Sequence, residues 1–348
     1  MTSCMPIFEG ETADEAWLKA ADVFRRAEVP RQDSRVGPTK EILGAVFVIN
    51  NPRQRWVHSR NPAINPAFAL AEVIWIINGR RDSEFLNFWN PALRKYAGHA
   101  HSYHGAYGYR LRHNFEFDQL ERAYRALKSN PNTRQVVLQI TDPRIDTPNE
   151  LGEPTDLDIP CNVCAFLKIR DQALHWTQVL RSNDLFLGVP YNFVQFTCLQ
   201  EILASWLGIG MGVYRHYADS LHLYEKDAMN FSLSQLSQSC PCPGAPEEIR
   251  LSRDESERIF AATATMVCEM IRPSLSERRL QAMNENMSCP LPIRNWLRVL
   301  SAECARRRHW LPLAEALIGE CSDPALVALW RKWAARQRTP KGACDVLL

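Results

Sequence analysis

Residues 12–28, "TADEAWLKAADVFRRAE", repeat apolar positions at helical spacing behind a Thr-x-x-Glu start. The pattern predicts an amphipathic N-terminal helix. "TKEILGAVFVINNP" is β-branched and closed by turn residues, and reads as a strand. "NPAFALAEVIWIINGR" begins on Asn-Pro, is apolar on every side and stops at Gly79, which suits a buried helix. Residues 85–115 lose periodicity and gather aromatics, His and Gly around "YHGAYGYR", as an irregular region facing a ligand would. "QLERAYRALKSNPNTRQ" predicts a helix stopped by Asn-Pro, "QVVLQITDP" a strand, and "DTPNELGEPTDLD" a long polar loop. "CNVCAFLKIRDQALHWTQVLRSND" alternates as two strands around Arg170-Asp171-Gln172, a hairpin. "FVQFTCLQEILASWLGIG" reads as a helix with a glycine stop, and "RHYADSLHLYEKDAMNFSLSQLSQ" as a strand and then a helix.

The pattern changes at "SCPCPGAPEE", residues 239–248, after which every periodic segment is helical. This divides the chain into an α+β domain over 1–238 and an all-helical extension over 249–348. "CARRRHW" and "WRKWAARQR" in the extension are basic clusters. Residues 240–348 carry 16 basic against 13 acidic side chains, too even to argue for nucleic acid, and solvated helix faces are the plainer reading.

The whole chain adds few constraints. Its 348 residues are 46% hydrophobic, enough for a large core, and a net charge of +2 argues for neither a nucleic-acid partner nor disorder. No apolar run reaches membrane-spanning length and the first residues do not read as a secretion signal, so the expected compartment is the cytoplasm. Eleven cysteines there are expected as thiols; beyond residue 239, "CPC" and the later cysteines form no C-x-x-C pair and have only His309 at hand, so no metal site is expected there.

Several residues fit poorly with their apolar surroundings. Cys161 follows Pro160 at the end of the polar loop and opens a strand. A thiolate is the best neutral-pH nucleophile among side chains, although most cysteines are small buried apolar groups. If the two strands pair, Arg181 returns beside Cys161, where a guanidinium favours the thiolate and can bind phosphate; a surface ion pair is its ordinary role. Asn192, after Pro190-Tyr191, suits a helix N-cap or a buried amide complementary to the N3–H and O4 of uracil. Asp184 and Gly188 are turn formers, or a contact for a donor-rich ring and a close approach for a flat ligand. His222 and Tyr224 share one strand face, as two half-buried tips or as a grip on a sugar. Glu72 among Leu, Val, Ile and Trp is either a core ion pair or an acid/base with a raised pKa.

The ordered set "PC", "RSNDLFLGVPYN" and "HLY", with weaker blocks "SRVG", "EVIWIINGR", "AYG" and "PNTRQVV", resembles the thymidylate synthase family, which includes the pyrimidine nucleotide hydroxymethylases. The likeness covers residues from about 33 to 235. It implies stacked mixed sheets with flanking helices, and a homodimer whose sheets meet back to back. It implies that Cys161 attacks C6 of a pyrimidine nucleotide, that C5 then takes a one-carbon unit from 5,10-methylenetetrahydrofolate, that Glu72 moves protons through water, and that Tyr107 helps remove the C5 proton. Arg35, Arg181 and Ser182 are implied to hold the phosphate, with Arg134 reaching in from the partner subunit. Asn192 is implied to read the base, His222 and Tyr224 to hold the ribose, and Asp184, Gly188 and Trp89 to line the folate site.

The chain departs from the family pattern at Gln135 for a second arginine, Asn162 for histidine, Leu180 for glutamine, Ala92 for tryptophan, and in about a hundred extra residues ending "CDVLL". These changes bear on hydride transfer, which needs a dry, closed site; water reaching the intermediate gives a hydroxymethyl product. Asn192, where cytosine-specific relatives use aspartate, points to dUMP over dCMP. The expectation is C5 one-carbon transfer to a uracil nucleotide, methyl or hydroxymethyl, and the rival from another class is a non-catalytic nucleotide-binding protein.

Overall fold

The computed structural model describes residues 5–34, 36–228 and 247–338. Its strands are β1 (Ile7–Gly10), β2 (Arg31–Gln32), β3 (Thr39–Ile49), β4 (Val137–Gln139), β5 (Asn162–Arg170), β6 (Ala173–Leu180), β7 (Asn183–Asp184) and β8 (Gly210–Tyr224). Its α-helices are α1 (Ala13–Arg26), α2 (Pro66–Ile77), α3 (Ser83–Asn87), α4 (Arg94–Ala97), α5 (Tyr107–Arg112), α6 (Gln119–Ser129), α7 (Pro143–Asp146), α8 (Val189–Leu207), α9 (Arg253–Met270), α10 (Glu277–Glu285), α11 (Leu291–Arg307), α12 (Leu311–Gly319) and α13 (Pro324–Arg338).

The strands form one eight-stranded mixed sheet in the order β1-β3-β8-β6-β5-β4, with β2 on β3 and β7 on β8. The architecture is α+β. β5 and β6 form the predicted hairpin, with Asp171 and Gln172 both at positive φ, 51° and 55°, as a tight two-residue turn demands. The sheet buries one face, including Phe47, Trp176 and Tyr214, against helices.

Helix α1 starts where the pattern placed it, with Thr12 Oγ1 accepting from Glu15 N at 3.1 Å. The Asn65 side chain caps α2 by accepting from Phe68 N at 3.1 Å, and Pro66 opens the helix. All of α2 except Glu72 is buried. It packs on α8 from one side and on α9, α11 and α13 from others, so helices of the extension complete the core around it. The irregular stretch 85–115 holds only short helices.

Residues 247–251 dock beside the end of α8. Glu201, buried on α8, pairs with Arg55 and accepts from Ile249 N at 3.1 Å, and Ser205 Oγ accepts from Leu251 N at 2.6 Å. No described helix is long and apolar enough to cross a membrane.

Candidate active site

The hairpin brings its two open ends together. Arg181 N donates to Cys161 O at 2.9 Å, so the residue after β6 lies across from the residue before β5. The Arg181 guanidinium folds back along the incoming chain, with Nε on Pro160 O and Nη2 on Ile159 O, both at 3.1 Å. Arg181 is exposed and Cys161 half-buried, so both remain accessible. An arginine has five donor hydrogens, and these two bonds leave some for an anion.

Tyr107, the first residue of α5, comes to the same place. Its phenol is pushed well above its ordinary value by burial first, then by Cys161, with Asp158 and Glu72 also within electrostatic range; the Asn162 amide beside it opposes the shift. Asn162 itself is fully buried and accepts from Gln178 Nε2 at 3.1 Å, while its Nδ2 has no well-formed hydrogen bond. Gly108 explains how Tyr107 is held. A Cβ there would lie 2.3 Å from Ile76 O and 2.6 Å from Ile76 Cα, so only glycine lets α5 seat on the end of α2. A Cβ on Gly105 would lie 2.7 Å from Asp158 O, and the Gly105 N–H donates to Asp158 Oδ2 at 2.9 Å. Burial raises the Asp158 carboxyl to about 6.

Glu72 is not in a core ion pair. Burial raises it to about 8, against a hydrogen bond from Gln195, and its Oε2 has no partner. The residue as a whole keeps partial exposure, but its Oε2 is buried. Gln195 also accepts from Asn192 Nδ2 at 2.8 Å through its Oε1. Asn192 therefore does not cap a helix. α8 begins at Val189, with Gly188 at the N-cap and Pro190 in the first turn, and Asn192 lies inside it.

The "RSND" turn is pinned from beneath. Asn183 Nδ2 donates to His216 Nε2 at 2.8 Å, and burial drives His216 down to about 3, which keeps its ring neutral. Gly188 has a structural requirement of its own: a Cβ would sit 2.3 Å from Asn183 Oδ1. Ser182 Oγ lies 3.3 Å from His222 Nδ1, and the rings of His222 and Tyr224 meet edge to face at 5.4 Å. One oxygen of Asp184 accepts from Phe186 N and Leu187 N at 2.6 and 2.8 Å, whereas Oδ2 is buried without a partner. Asp227 repeats this state: it is buried, its Oδ2 has no partner, and burial followed by the nearby Asp184 raises it to about 6. Tyr96 is within electrostatic range of both carboxyls. These orphaned oxygens suit a ring rich in N–H donors.

Two further expected residues are Trp89 and Arg134. Trp89 is 0% exposed, and its carbonyl accepts from Asn65 Nδ2 at 3.1 Å and from Arg307 Nη2 at 2.5 Å. Its ring nitrogen Nε1 is buried without a partner. Arg134 is exposed in the loop between α6 and β4, a surface position open to a second chain. Arg35 and the "CDVLL" tail lie outside the described residues. Among the described residues no group of three or more His, Cys, Asp or Glu is placed to hold a metal ion.

Gln195, Asp158 and Asp227 were not anticipated. Gln195 stands three residues after Asn192, the spacing that puts two side chains on one helix face, but its apolar neighbours masked the signal.

The thymidylate synthase family model matches residues 33–267, running past the proline- and cysteine-rich break into α9. The chain is 35% identical over 199 residues to a deoxyuridylate hydroxymethyltransferase of Bacillus phage SP01, covering 54% of this chain and 51% of that one. It is 36% identical over 201 residues to a deoxyuridylate hydroxymethyltransferase of Pseudomonas phage M6, covering 56% and 55%. It is 25% identical over 189 residues to a thymidylate synthase of Symbiobacterium thermophilum, covering 50% and 64%. The chain thus spans about half the length of the two phage relatives.

Proposed function

The chain belongs to the thymidylate synthase family, and from that premise we propose that it transfers a one-carbon unit from 5,10-methylenetetrahydrofolate to C5 of dUMP, leaving a hydroxymethyl group. The observation that carries this reading is that Cys161, just before β5, gathers with Glu72 and Asp158 around the Tyr107 phenol. A pyrimidine C5 is a poor nucleophile until a group adds at C6. Cys161 Sγ forms that bond, and the electron pair of the C5–C6 double bond moves toward O4. Asn192 presents its amide to N3–H and O4 and holds the developing charge at O4. C5 then bonds to the one-carbon unit. Tyr107 stands where the C5 proton must leave, and Glu72, through ordered water, takes and returns protons. Loss of the C5 proton breaks the bond between the one-carbon unit and the folate nitrogen, so that tetrahydrofolate leaves and an exocyclic methylene remains on C5. Water adds to that carbon, and Cys161 is released as the C5–C6 double bond re-forms.

Arg181 and Ser182 sit at the phosphate end, where Arg35 is expected as well, and His222 and Tyr224 face the sugar. The unpartnered oxygens of Asp184 and Asp227 fit the N–H donors of a pterin, with Gly188 beside them. Two features favour water over hydride. The phage relatives are named for hydroxymethyl transfer. Ala92 stands where the family pattern has a second tryptophan, which thins the aromatic wall of a dry folate site.

The working form is a homodimer with Arg134 completing the phosphate site in trans. Its support is the bare sheet face, where Ile7, Leu43, Val137 and Phe166 are exposed and Val137 neighbours Phe166 in register. The seven described cysteines, all outside disulfides, fit the reducing cytoplasm.

Tritium release from [5-³H]dUMP that depends on methylenetetrahydrofolate tests the reading, with loss of release in Cys161→Ala expected. Mass analysis then separates the products, since hydroxymethyl exceeds methyl by one oxygen. A methyl product appears with dihydrofolate, whose absorbance would count against water as the acceptor. Nucleotide binding without tritium release would leave the non-catalytic reading standing.

A further inference from the structure

Asp158 has no task in the steps from addition at C6 to loss of the C5 proton. It ends the polar loop ahead of β5, three residues before Cys161, and is half-buried. The chain around it is pinned. Asp158 N donates to Asp156 Oδ1 at 2.8 Å, and Arg181 holds the carbonyls of Ile159 and Pro160, both at 3.1 Å. Its Oδ2 accepts from Gly105 N at 2.9 Å, whereas no donor among the described residues bonds to Oδ1. Gly105 comes this close only because it has no side chain: a Cβ would lie 3.3 Å from Asp158 Oδ1 and 3.3 Å from Pro160 N, besides its clash with Asp158 O. Gly105 stands two residues before Tyr107. One short loop thus carries both the phenol at the C5 proton and the donor that aims this carboxyl. The charged and titratable groups around Asp158 are Asp156, His104, Arg110, Tyr103 and Tyr107. Burial moves it most, up to about 6, with Asp156 adding to the shift and the Gly105 bond, His104 and Arg110 opposing it. Glu72 is in range of the same two phenols, and burial pushes it up to about 8. At neutral pH one carboxyl therefore holds its proton and the other does not, which divides the roles of acid and base between them.

We propose that Asp158 is the general base that takes a proton from the water adding to the exocyclic methylene, and so directs the reaction to a hydroxymethyl product. This rests on the reading that Cys161 carries a pyrimidine nucleotide through C5 transfer. Water is a weak nucleophile, and its attack leaves an extra proton on the new hydroxyl oxygen, so the step needs a base. The water oxygen bonds to the methylene carbon, and one water proton passes to Asp158 Oδ1. The electrons of the exocyclic double bond move into C5–C6 as the C6–S bond breaks, and Cys161 leaves as a thiolate. Asp158 then returns its proton to solvent along the polar loop, whose residues 147–155 are all exposed. Glu72 suits this step poorly, because it already holds a proton at neutral pH and its Oε2 is buried.

The test separates the steps on either side of the methylene. Tritium leaves C5 before water adds, so its release reports the earlier steps and hydroxymethyl product the later one. Asp158→Asn keeps an oxygen that can accept from Gly105 N–H but removes the base. Its single-turnover tritium release from [5-³H]dUMP is expected to stay within about threefold of wild type, while product forms about 10²-fold more slowly. The stalled methylene is an electrophile. Added 2-mercaptoethanol, attacking as its own thiolate, is therefore expected to divert the variant to a thioether nucleotide, identified by mass, that wild type does not accumulate. A merely structural role would lower release and product together and give no thioether. That result, or an unchanged rate of product, overturns the proposal. Should Asp158→Asn fail to fold, Asp158→Ser, which also lacks the carboxylate, is read in the same way. Wild type that releases tritium and makes a methyl product overturns this assignment and the hydroxymethyl outcome, but not one-carbon transfer. Wild type that releases no tritium from dUMP overturns the proposed function, and this assignment with it.

Discussion

Glu72 is a carboxyl group on a helix that is otherwise apolar on every side, and the cost of charging it there has a measurable pH signature. Its pKa rises from 4.5 unfolded to about 8 folded, with burial as the cause and the Gln195 hydrogen bond opposing it. Below 4.5 both states hold the proton, and the group adds no pH dependence. Between 4.5 and about 8 the folded protein keeps a proton that the unfolded chain has released, so stability falls as pH rises. Above about 8 that loss is complete. Glu72→Gln abolishes this titration. The melting temperature of the variant minus that of wild type is expected to climb from pH 5 to pH 8 and then level off, as measured by calorimetry at fixed ionic strength. The same substitution is expected to lower kcat by about 10²-fold or more, as for loss of a general acid/base. A flat melting difference would mean that Glu72 titrates near its ordinary value.

At the scale of elements, the site depends on how closely α5 seats on α2. The contact that fixes Tyr107 is backbone on backbone, through Gly108 over Ile76. Gly108→Ala is expected to push α5 away by roughly the overlap of a methyl group, and a misplacement of about 1 Å is enough to cost about 10²-fold in rate. Alkylation of Cys161 by iodoacetamide should be nearly unchanged, since the hairpin that carries it is untouched. Equal losses in both assays would show that the substitution unfolds the region and does not merely move Tyr107. Elements of this kind were legible to different degrees. The hairpin, β3 and α2 were readable because alternation, turn residues and an Asn-Pro start are local signals. The start of α8 was not, because Gly188-Val189-Pro190 resembles a turn and only the tertiary setting winds it into helix. That one shift moved Asn192 from a supposed cap to an interior position facing Gln195. Asp227 was hidden for another reason. It reaches Asp184 only because β7 pairs parallel with β8, a contact between residues far apart in sequence. The burial of Trp89 had no local signal either, since its neighbours Asn65 and Arg307 come from two distant helices.

At the scale of the whole molecule, the helical extension is part of the wall behind the site. Arg307 on α11 reaches the carbonyl of Trp89, and Lys332 on α13 donates to His58 O at 2.9 Å, so both hold segments that border α2. The connection runs through Glu201, a carboxylate with 5% side-chain exposure that pairs with Arg55 at 7% and receives the Ile249 amide. Glu201→Gln keeps the shape and removes the charge, leaving a guanidinium buried beside a neutral amide. Breaking one side of a buried pair costs about 3–5 kcal/mol. The melting temperature is therefore expected to fall by several degrees, and limited proteolysis is expected to cut first near residues 247–251, where the Ile249 amide has lost a charged acceptor. If the extension braces α2, dUMP-dependent activity should decline with that cutting and not before it. Activity that survives complete cleavage at this segment would show that the α+β domain holds Glu72 in place without help, and that the extension serves some other purpose.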